Sequence, residues 1–469
     1  VITIRDLMTD PALFGDQFGG DSFKAWRTLL AGFYGLELAE DELPHWQELT
    51  GRESAPEAVH DELWLAIGRR GGKSQAAALL AVFHAAFMDY SDRLSPGEVA
   101  TVMVLAADRK QARSVFRYIS GLFHSNAMLE RLITRETTES LELSNRAAIE
   151  VHTASFRAVR GYTVACCIAD EIAFWRSDDS ANPDREVVSA IRPAMATLTG
   201  PLIALSSPYS RRGALWDAYS RYYGKEGSIL VAQAPSRTMN PTLPEKVVRE
   251  AMERDPAAAK AEYMAEFRTD VETFISLEAV EACTAPDRLE LPPLSDRHYF
   301  GFVDPSGGSK DAMTLAITHR EGDQIILDVV RAVKPPFSPE SVVLEFCNLL
   351  KKYRIDTVTG DRYAGEFARE PFRKQGIKYE LAPKPRSDLY RDLLPLINSD
   401  RVELLDNKQL QSELVSLERR TSRAGKDSID HPPGGHDDLA NAVAGAVDCA
   451  ALPPFEMPKV TIRMNGEHA

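Results

Sequence analysis

Short apolar runs punctuate the first half of the chain: Leu63–Ile67, Val99–Ala106, Ala148–Val151, Val164–Ala169, Pro201–Leu205 and Ser228–Ala232. Stretches with helical spacing separate them. Continuous apolar runs of this length mark strands buried on both faces, so the block predicts a largely parallel sheet covered by helices. Residues 1–60 read as helical and peripheral. Met252–Phe267 reads as one helix, and Pro292 and Pro293 break regular structure after it. These features divide the chain into a first domain over 1–235, a lid or linker over 236–297, a second domain over 298–455 and a tail over 456–469.

The rhythm changes at Tyr299. Three strand-like runs follow one another, Tyr299–Val303, Met313–Thr318 and Gln324–Val333. A helix (Pro339–Tyr353), a strand (Asp356–Thr359), a helix (Gly365–Gln375) and a short strand (Tyr379–Leu381) come next. Further helices are predicted near Asp388–Asn398, over Lys408–Arg420 and from about Asp437 to Ala451. Three antiparallel strands followed by α-β-α alternation predict an α/β sheet of the ribonuclease H type. The fold class is therefore α/β in both blocks.

Composition narrows the options. With 44% hydrophobic and 26% charged residues, the 469-residue chain has enough apolar surface to fold, which excludes a mostly disordered protein. Fifty-five Lys and Arg against 69 Asp and Glu give a net charge of −14. Bulk attraction to nucleic acid is thereby excluded, and any such contact must use local basic patches. Five scattered cysteines predict neither a disulfide framework nor a zinc site. No apolar run is long enough for a membrane span, and the leading VITIRDLMTD lacks the basic leader and apolar core of a signal peptide.

The run Gly68-Arg69-Arg70-Gly71-Gly72-Lys73-Ser74 follows one predicted strand and opens an Ala-rich helix. A phosphate-binding loop needs this setting: backbone amides curl around phosphate oxygens at a helix N-terminus, Lys73 reaches the β and γ phosphates, and Ser74 ligates Mg²⁺. Ile67 stands where the usual first glycine would be. A glycine turn with an exposed lysine is the plain alternative. Asp170 and Glu171 end the apolar strand Val164–Ala169, a Walker B pattern in which Asp170 holds Mg²⁺ and Glu171 polarises the attacking water. Ser206 and Ser207, at the exit of the next strand, are candidates for sensing the γ-phosphate, although a simple strand exit explains them too. Gln47, beside Trp46, is a candidate for reading an adenine edge. Arg157 and Arg160 are candidate arginine fingers, and the sequence does not choose between them.

In the second block Asp304 ends a strand before a glycine turn, and Asp361 repeats the arrangement 57 residues on. Asp437 and Asp438 open the last helix. Such an ordered trio suits a carboxylate cluster for Mg²⁺ or Mn²⁺ and two-ion phosphodiester cleavage. Each Asp alone reads more readily as a turn or helix cap, and it is the ordered trio that favours a nuclease. Residues 351–391 hold eleven Lys or Arg and six Asp or Glu, a local +5. Lys384, Arg386 and Arg391 are candidates for a backbone phosphate, and Arg419, Arg420, Arg423 and Lys426 form a second candidate track.

GRRGGKS, then IADE, then SSP, followed by DPSGG, GDRYAG and GGHDD, together resemble the large terminase subunit of tailed bacteriophages over about residues 40–450. The resemblance implies a P-loop ATPase domain followed by a ribonuclease H-like nuclease domain. It implies an ATP-driven motor that threads double-stranded DNA through the portal protein into a procapsid and cuts concatemeric DNA. Lys73, Ser74, Asp170, Glu171 and Ser206–Pro208 match the motor motifs, and Asp304, Asp361 and Asp437 or Asp438 match the nuclease ligands. The implied partners are DNA, portal, procapsid and the small terminase subunit, with a homo-oligomeric ring on the portal and a monomer in solution. No membrane is implied. The implied location is the host cytoplasm, transiently on the procapsid and not in the mature virion. Two rivals share parts of this reading, a helicase–nuclease of DNA repair and a nucleotide-gated, non-catalytic DNA clamp.

Overall fold

The computed structural model describes residues 2–155, 161–177, 180, 182–308, 311–361, 365–421 and 427–451. The chain divides into two compact units, one ending at Glu272 and the other beginning at Thr273. Of the segment expected as a lid or linker, 236–272 thus belongs to the first unit and 273–297 to the second.

The first unit is built on eight strands: β1 (Glu62–Ile67), β2 (Ala100–Ala106), β3 (Ile133–Glu136), β4 (Ser140–Leu143), β5 (Ala147–Thr153), β6 (Thr163–Asp170), β7 (Leu202–Ser206) and β8 (Ile229–Ala234). Their order is β3-β4-β5-β2-β6-β7-β1-β8. The six strands predicted from apolar runs are all present and pair in parallel. The hairpin strands β3 and β4 join antiparallel at one edge. They are short and half-polar, so they left no apolar run in the sequence.

The N-terminal helices are not peripheral. Trp26, Leu29, Leu30, Phe33 and Trp46 are fully buried in the same core as β1 and its helix. The helix Lys24–Phe33 lacks charge on its inner face, and that face closes one side of the sheet. The single helix predicted over Met252–Phe267 is two helices, Glu245–Arg254 and Pro256–Met264. Pro256 cannot continue a helix from the turn before it, and Asp255 instead caps a new one by accepting from the Ala258 amide.

A short strand, β9 (Val271–Thr273), precedes the second unit's own strands: β10 (Thr284–Ala285), β11 (Tyr299–Asp304), β12 (Met313–Glu321), β13 (Gln324–Val333), β14 (Thr357–Gly360), β15 (Lys378–Leu381) and β16 (Val402–Leu405). The sheet order is β10-β16-β13-β12-β11-β14-β15. β11, β12 and β13 are antiparallel, whereas β14 and β15 run parallel to β11, the arrangement expected of the ribonuclease H type. The helix predicted over Lys408–Arg420 stops at Ser416. The chain then enters β17 (Glu418–Thr421), which pairs antiparallel with β18 (Asp427–Asp430), so the ladder takes Arg419 and Arg420 out of the helix.

The last helix, Asp438–Ala451, lies on this sheet. A Cβ on Gly445 would collide with the Phe302 ring, so glycine lets the helix press onto β11. Thr314 and Thr318 of β12 donate to the carbonyls of Asp438 (2.7 Å) and Ala446 (2.9 Å). Together these contacts fix the register of the helix over the strand that carries Asp304.

Candidate active sites

The register of the first sheet brings its motifs to one edge. Ala66 is paired with Ser206 and Asp170 with Leu205, so the carboxyl ends of β1, β7 and β6 lie side by side. In open α/β sheets that edge is where ligands bind. The loop Gly68–Gly72 leaves β1 there and opens the helix Lys73–Val82.

Three side chains hold the loop by its carbonyls. Ser236 Oγ donates to Arg69 (2.6 Å), Asn240 Nδ2 to Arg70 (2.9 Å) and Trp26 Nε1 to Gly71 (2.8 Å). The Arg69 amide donates to the Glu262 carbonyl. Arg70 and Gly72 are left-handed, at φ 65 and φ 91. A Cβ on Gly72 would fall 2.9 Å from Trp26 Nε1, and one on Gly68 would meet the Ser236 amide at 2.7 Å. The loop is thus a preset turn at a helix N-terminus, a geometry suited to an anion.

Lys73 is buried, and its Nζ donates to the Ile67 carbonyl (3.0 Å) and Ser207 Oγ (2.9 Å). It stands 3.4 Å from Glu171 Oε1. Glu171 Oε2 accepts from Ser206 Oγ (2.9 Å) and from the Ser207 amide (3.0 Å). Glu171 is itself left-handed at φ 51, a conformation that costs a non-glycine residue on the order of 1 kcal/mol. Such strain is typically held at functional positions. Asp170 is buried, and burial first, then the Glu171 charge, pushes its carboxyl up to about 7. Gln111 Nε2 donates to its Oδ2 (2.9 Å), while its buried Oδ1 has no hydrogen-bond partner. An orphaned, buried carboxylate oxygen within reach of the Lys73 charge fits a divalent cation.

Gln47 is exposed and donates to the Glu53 carbonyl (2.8 Å). Trp46 beside it is fully buried and donates to the Ser54 carbonyl, so its ring offers no open stacking face. Arg157 and Arg160 lie outside the described residues.

In the second unit, Asn441 joins two of the predicted acids. Its Nδ2 donates to Asp304 Oδ2 (2.8 Å) and to Asp361 Oδ2 (3.0 Å). Asp361 follows Gly360, where a Cβ would collide with the Tyr379 hydroxyl, so the strand end needs glycine. The Asp304 carboxyl is pushed up to about 8, first by burial and then by the charges of Asp361, Asp438 and Asp437. Asp438 Oδ2 accepts from the Ala312 amide (3.1 Å), and burial raises its pKa. Asp304, Asp361 and Asp438 supply hard carboxylate oxygens, and Asn441 Oδ1 is buried without a partner. Such a set fits Mg²⁺ or Mn²⁺.

Asp437 and Asp438 take different environments. Asp437 is fully enclosed, paired with Arg386 Nη1 (2.8 Å) and bonded by the Tyr390 hydroxyl (2.8 Å). The first-turn amides of Leu439 (2.8 Å) and Ala440 (3.0 Å) donate to Glu413 Oε2, while the Asp437 carbonyl accepts from the Asn441 amide. Burial pushes the Glu413 carboxyl up to about 7. The basic residues picked out for a phosphate are engaged by carboxylates. Lys384 pairs with Asp392 and Asp448, Arg386 with Asp430 and Asp437, Arg391 with Asp388, Arg419 with Asp427 and Arg420 with Glu418. Arg423 and Lys426 lie outside the described residues.

Sequence reasoning missed Asn441, Gln111, Glu413 and Trp26. Asn441 alone left a local signal, the one polar residue between Leu439 and Val447, one turn after Asp437. The others act across 26 to 59 residues of chain.

The fold and the two clusters define a class: a P-loop α/β unit followed by a ribonuclease H-like α/β unit, each with a buried carboxylate site. No protein-family model and no curated protein matches the chain. Among solved structures it is similar to the large terminase of bacteriophage HK97, at 18% identity and a TM-score of 0.37, covering 84% of this chain and 91% of that one. It is also similar to the large terminase of the thermophilic bacteriophage D6E, at 12% identity and a TM-score of 0.40, covering 91% and 98%. The large terminase nuclease of thermophilic phage G20c with bound magnesium matches at 18% identity and a TM-score of 0.32, covering 37% and 96%.

Proposed function

We propose that this protein is an ATP-driven viral DNA-packaging motor that also cuts concatemeric double-stranded DNA, the large terminase subunit of a tailed bacteriophage. The observation that carries the reading is the pairing of two sites on one chain. In one, Lys73 and Glu171 stand 3.4 Å apart beside buried Asp170. In the other, Asn441 ties Asp304 to Asp361.

In the motor unit, Ser74 and Asp170 would hold Mg²⁺ with ATP, and in the nuclease unit Asp304, Asp361 and Asp438 would hold Mg²⁺ or Mn²⁺. Asp437, neutralised by Arg386, supports the helix start. Bound divalent ions supply Lewis-acid stabilisation of phosphate oxygens and lower the pKa of water. The chain's own residues do the rest. The preset loop presents amides and the Lys73 ammonium to phosphate oxygens. Glu171, held by Ser206 and Ser207, orients the attacking water and accepts its proton. Ser206–Pro208 moves when Glu171 releases it, and that shift drives the DNA-engaging parts. Arg157 or Arg160 is the candidate for transition-state charge. The partners are double-stranded DNA, portal, procapsid and a small terminase subunit, with the chain ringed on the portal in the host cytoplasm.

The test is packaging into purified procapsids. The reading requires ATP-dependent protection of DNA from added nuclease, lost in Glu171→Ala. Unwinding of forked DNA without packaging would favour a repair helicase–nuclease. Mg²⁺-independent DNA binding without nicking would favour a clamp.

A further inference from the structure

Outside both clusters, the helix Arg109–Ser125 carries Arg109, Lys110, Arg113 and Arg117 and no carboxylate. All four cations are exposed. They line a groove of about 780 Å³ floored in part by Phe116. Arg109, Arg113 and Arg117 recur every four residues, so they share one face and stand ~6 Å apart along the axis.

The acids nearby are engaged. Glu136 borders the groove, but its carboxylate is taken by Ser120 (2.7 Å) and His124 (2.9 Å). Glu139 reaches Arg113 only at 3.8 Å. Asp108, at the helix start, accepts from the Lys110 and Gln111 amides. Among the described residues, Arg109, Lys110 and Arg117 have no ion-pair partner. In a chain of net charge −14 this is a focused positive site.

We propose that this groove is a contact for the phosphodiester backbone of duplex DNA, separate from the nuclease cluster. The choice of DNA rests on the motor reading. Three arginines over ~12 Å span about four phosphates of one strand, spaced ~3.4 Å along the axis. Arginine forks match phosphate oxygens in pairs, which a point charge does not. The helix also touches the nucleotide site: Gln111, between Lys110 and Arg113, donates to Asp170. DNA held by this helix is thus held by an element that bears on the Walker B carboxylate.

The experiment uses the full chain in EDTA, which silences cutting, with a fluorescein-labelled duplex and anisotropy over a salt series. The variant is Arg109→Ala/Arg113→Ala/Arg117→Ala, with circular dichroism and a thermal melt as folding controls. Removing three phosphate contacts lowers affinity roughly tenfold or more and shrinks the slope of log K against log salt by about 2.7. A single Arg117→Glu variant, if the triple one misfolds, lowers affinity and slope in the same direction. Unchanged affinity and slope in a folded variant, while wild type still hydrolyses ATP and cuts DNA, overturns the groove and leaves the motor reading intact. A wild-type chain with neither ATP turnover nor DNA binding overturns both. Competition by polyglutamate as effective as by unlabelled duplex, at matched charge, also overturns the inference in favour of an acidic protein partner.

Discussion

Ser206 Oγ stands 2.9 Å from Glu171 Oε2, and the Ser207 amide donates to the same oxygen. The strand end after β7 thus grips the residue proposed as general base and holds it in a left-handed conformation. A hydrogen bond to a charged acceptor contributes roughly 1.5–3 kcal/mol. Ser206→Ala should therefore slow ATP turnover roughly tenfold to a hundredfold while leaving the KM for ATP nearly unchanged. Steady-state hydrolysis assays decide this; a Ser206→Ala enzyme with wild-type kcat would free Glu171 from that contact's control.

If the second unit cuts DNA as proposed, Asn441 should set the divalent-ion requirement of that cutting. Its amide quiets the repulsion between Asp304 and Asp361 and orients both. Supporting partners of this kind typically contribute 10–100-fold to metal affinity. Asn441→Ala should shift the Mg²⁺ titration of DNA cutting upward by about that factor, with ATP turnover unaffected. A titration curve overlaying that of wild type would show that Asn441 only packs.

His84 gives the fold a pH dependence of definite sign. It lies buried between the Tyr34 hydroxyl (2.7 Å) and the Tyr90 hydroxyl (2.8 Å), and burial lowers its pKa to about 3. The unfolded chain protonates this group near 6.5 and the folded chain does not, so the His84 contribution to stability falls as pH drops below 6.5. From pH 7 to pH 5 the loss is about 2 kcal/mol. In urea unfolding at both pH values, wild type should lose about 2 kcal/mol more than His84→Gln between pH 7 and pH 5, because the raised carboxyls Asp170, Asp304 and Glu413 act in the opposite direction equally in both proteins. Equal pH responses in the two proteins would rule out this origin.

Much of the architecture was legible because burial writes itself into sequence. Strands covered on both faces must be continuously apolar, and β1, β2, β6 and β7 were read that way. Glycine loops and strand-end acids are local patterns, so Lys73, Asp170, Asp304 and Asp361 were found. What escaped is contact between distant residues. Nothing near Trp26 says that its indole holds Gly71, and helix spacing over 1–60 does not say which face is covered. Arg419 and Arg420 carry helical-looking neighbours, and only pairing with β18 shows them to be in a strand. Charge counts placed Lys384 and Arg386 near phosphate, whereas their carboxylate partners lie up to 64 residues away.

The central claim, two separable chemistries on one chain, is tested most directly by measuring ATP turnover and Mg²⁺-dependent linearisation of plasmid DNA side by side. The proteins are wild type, Glu171→Ala and Asp304→Ala. Wild type should perform both reactions, Glu171→Ala should lose ATP turnover and still cut, and Asp304→Ala should hydrolyse ATP and no longer cut. Cutting that persists in rigorously purified Asp304→Ala, or ATP turnover that persists in Glu171→Ala, would contradict the account.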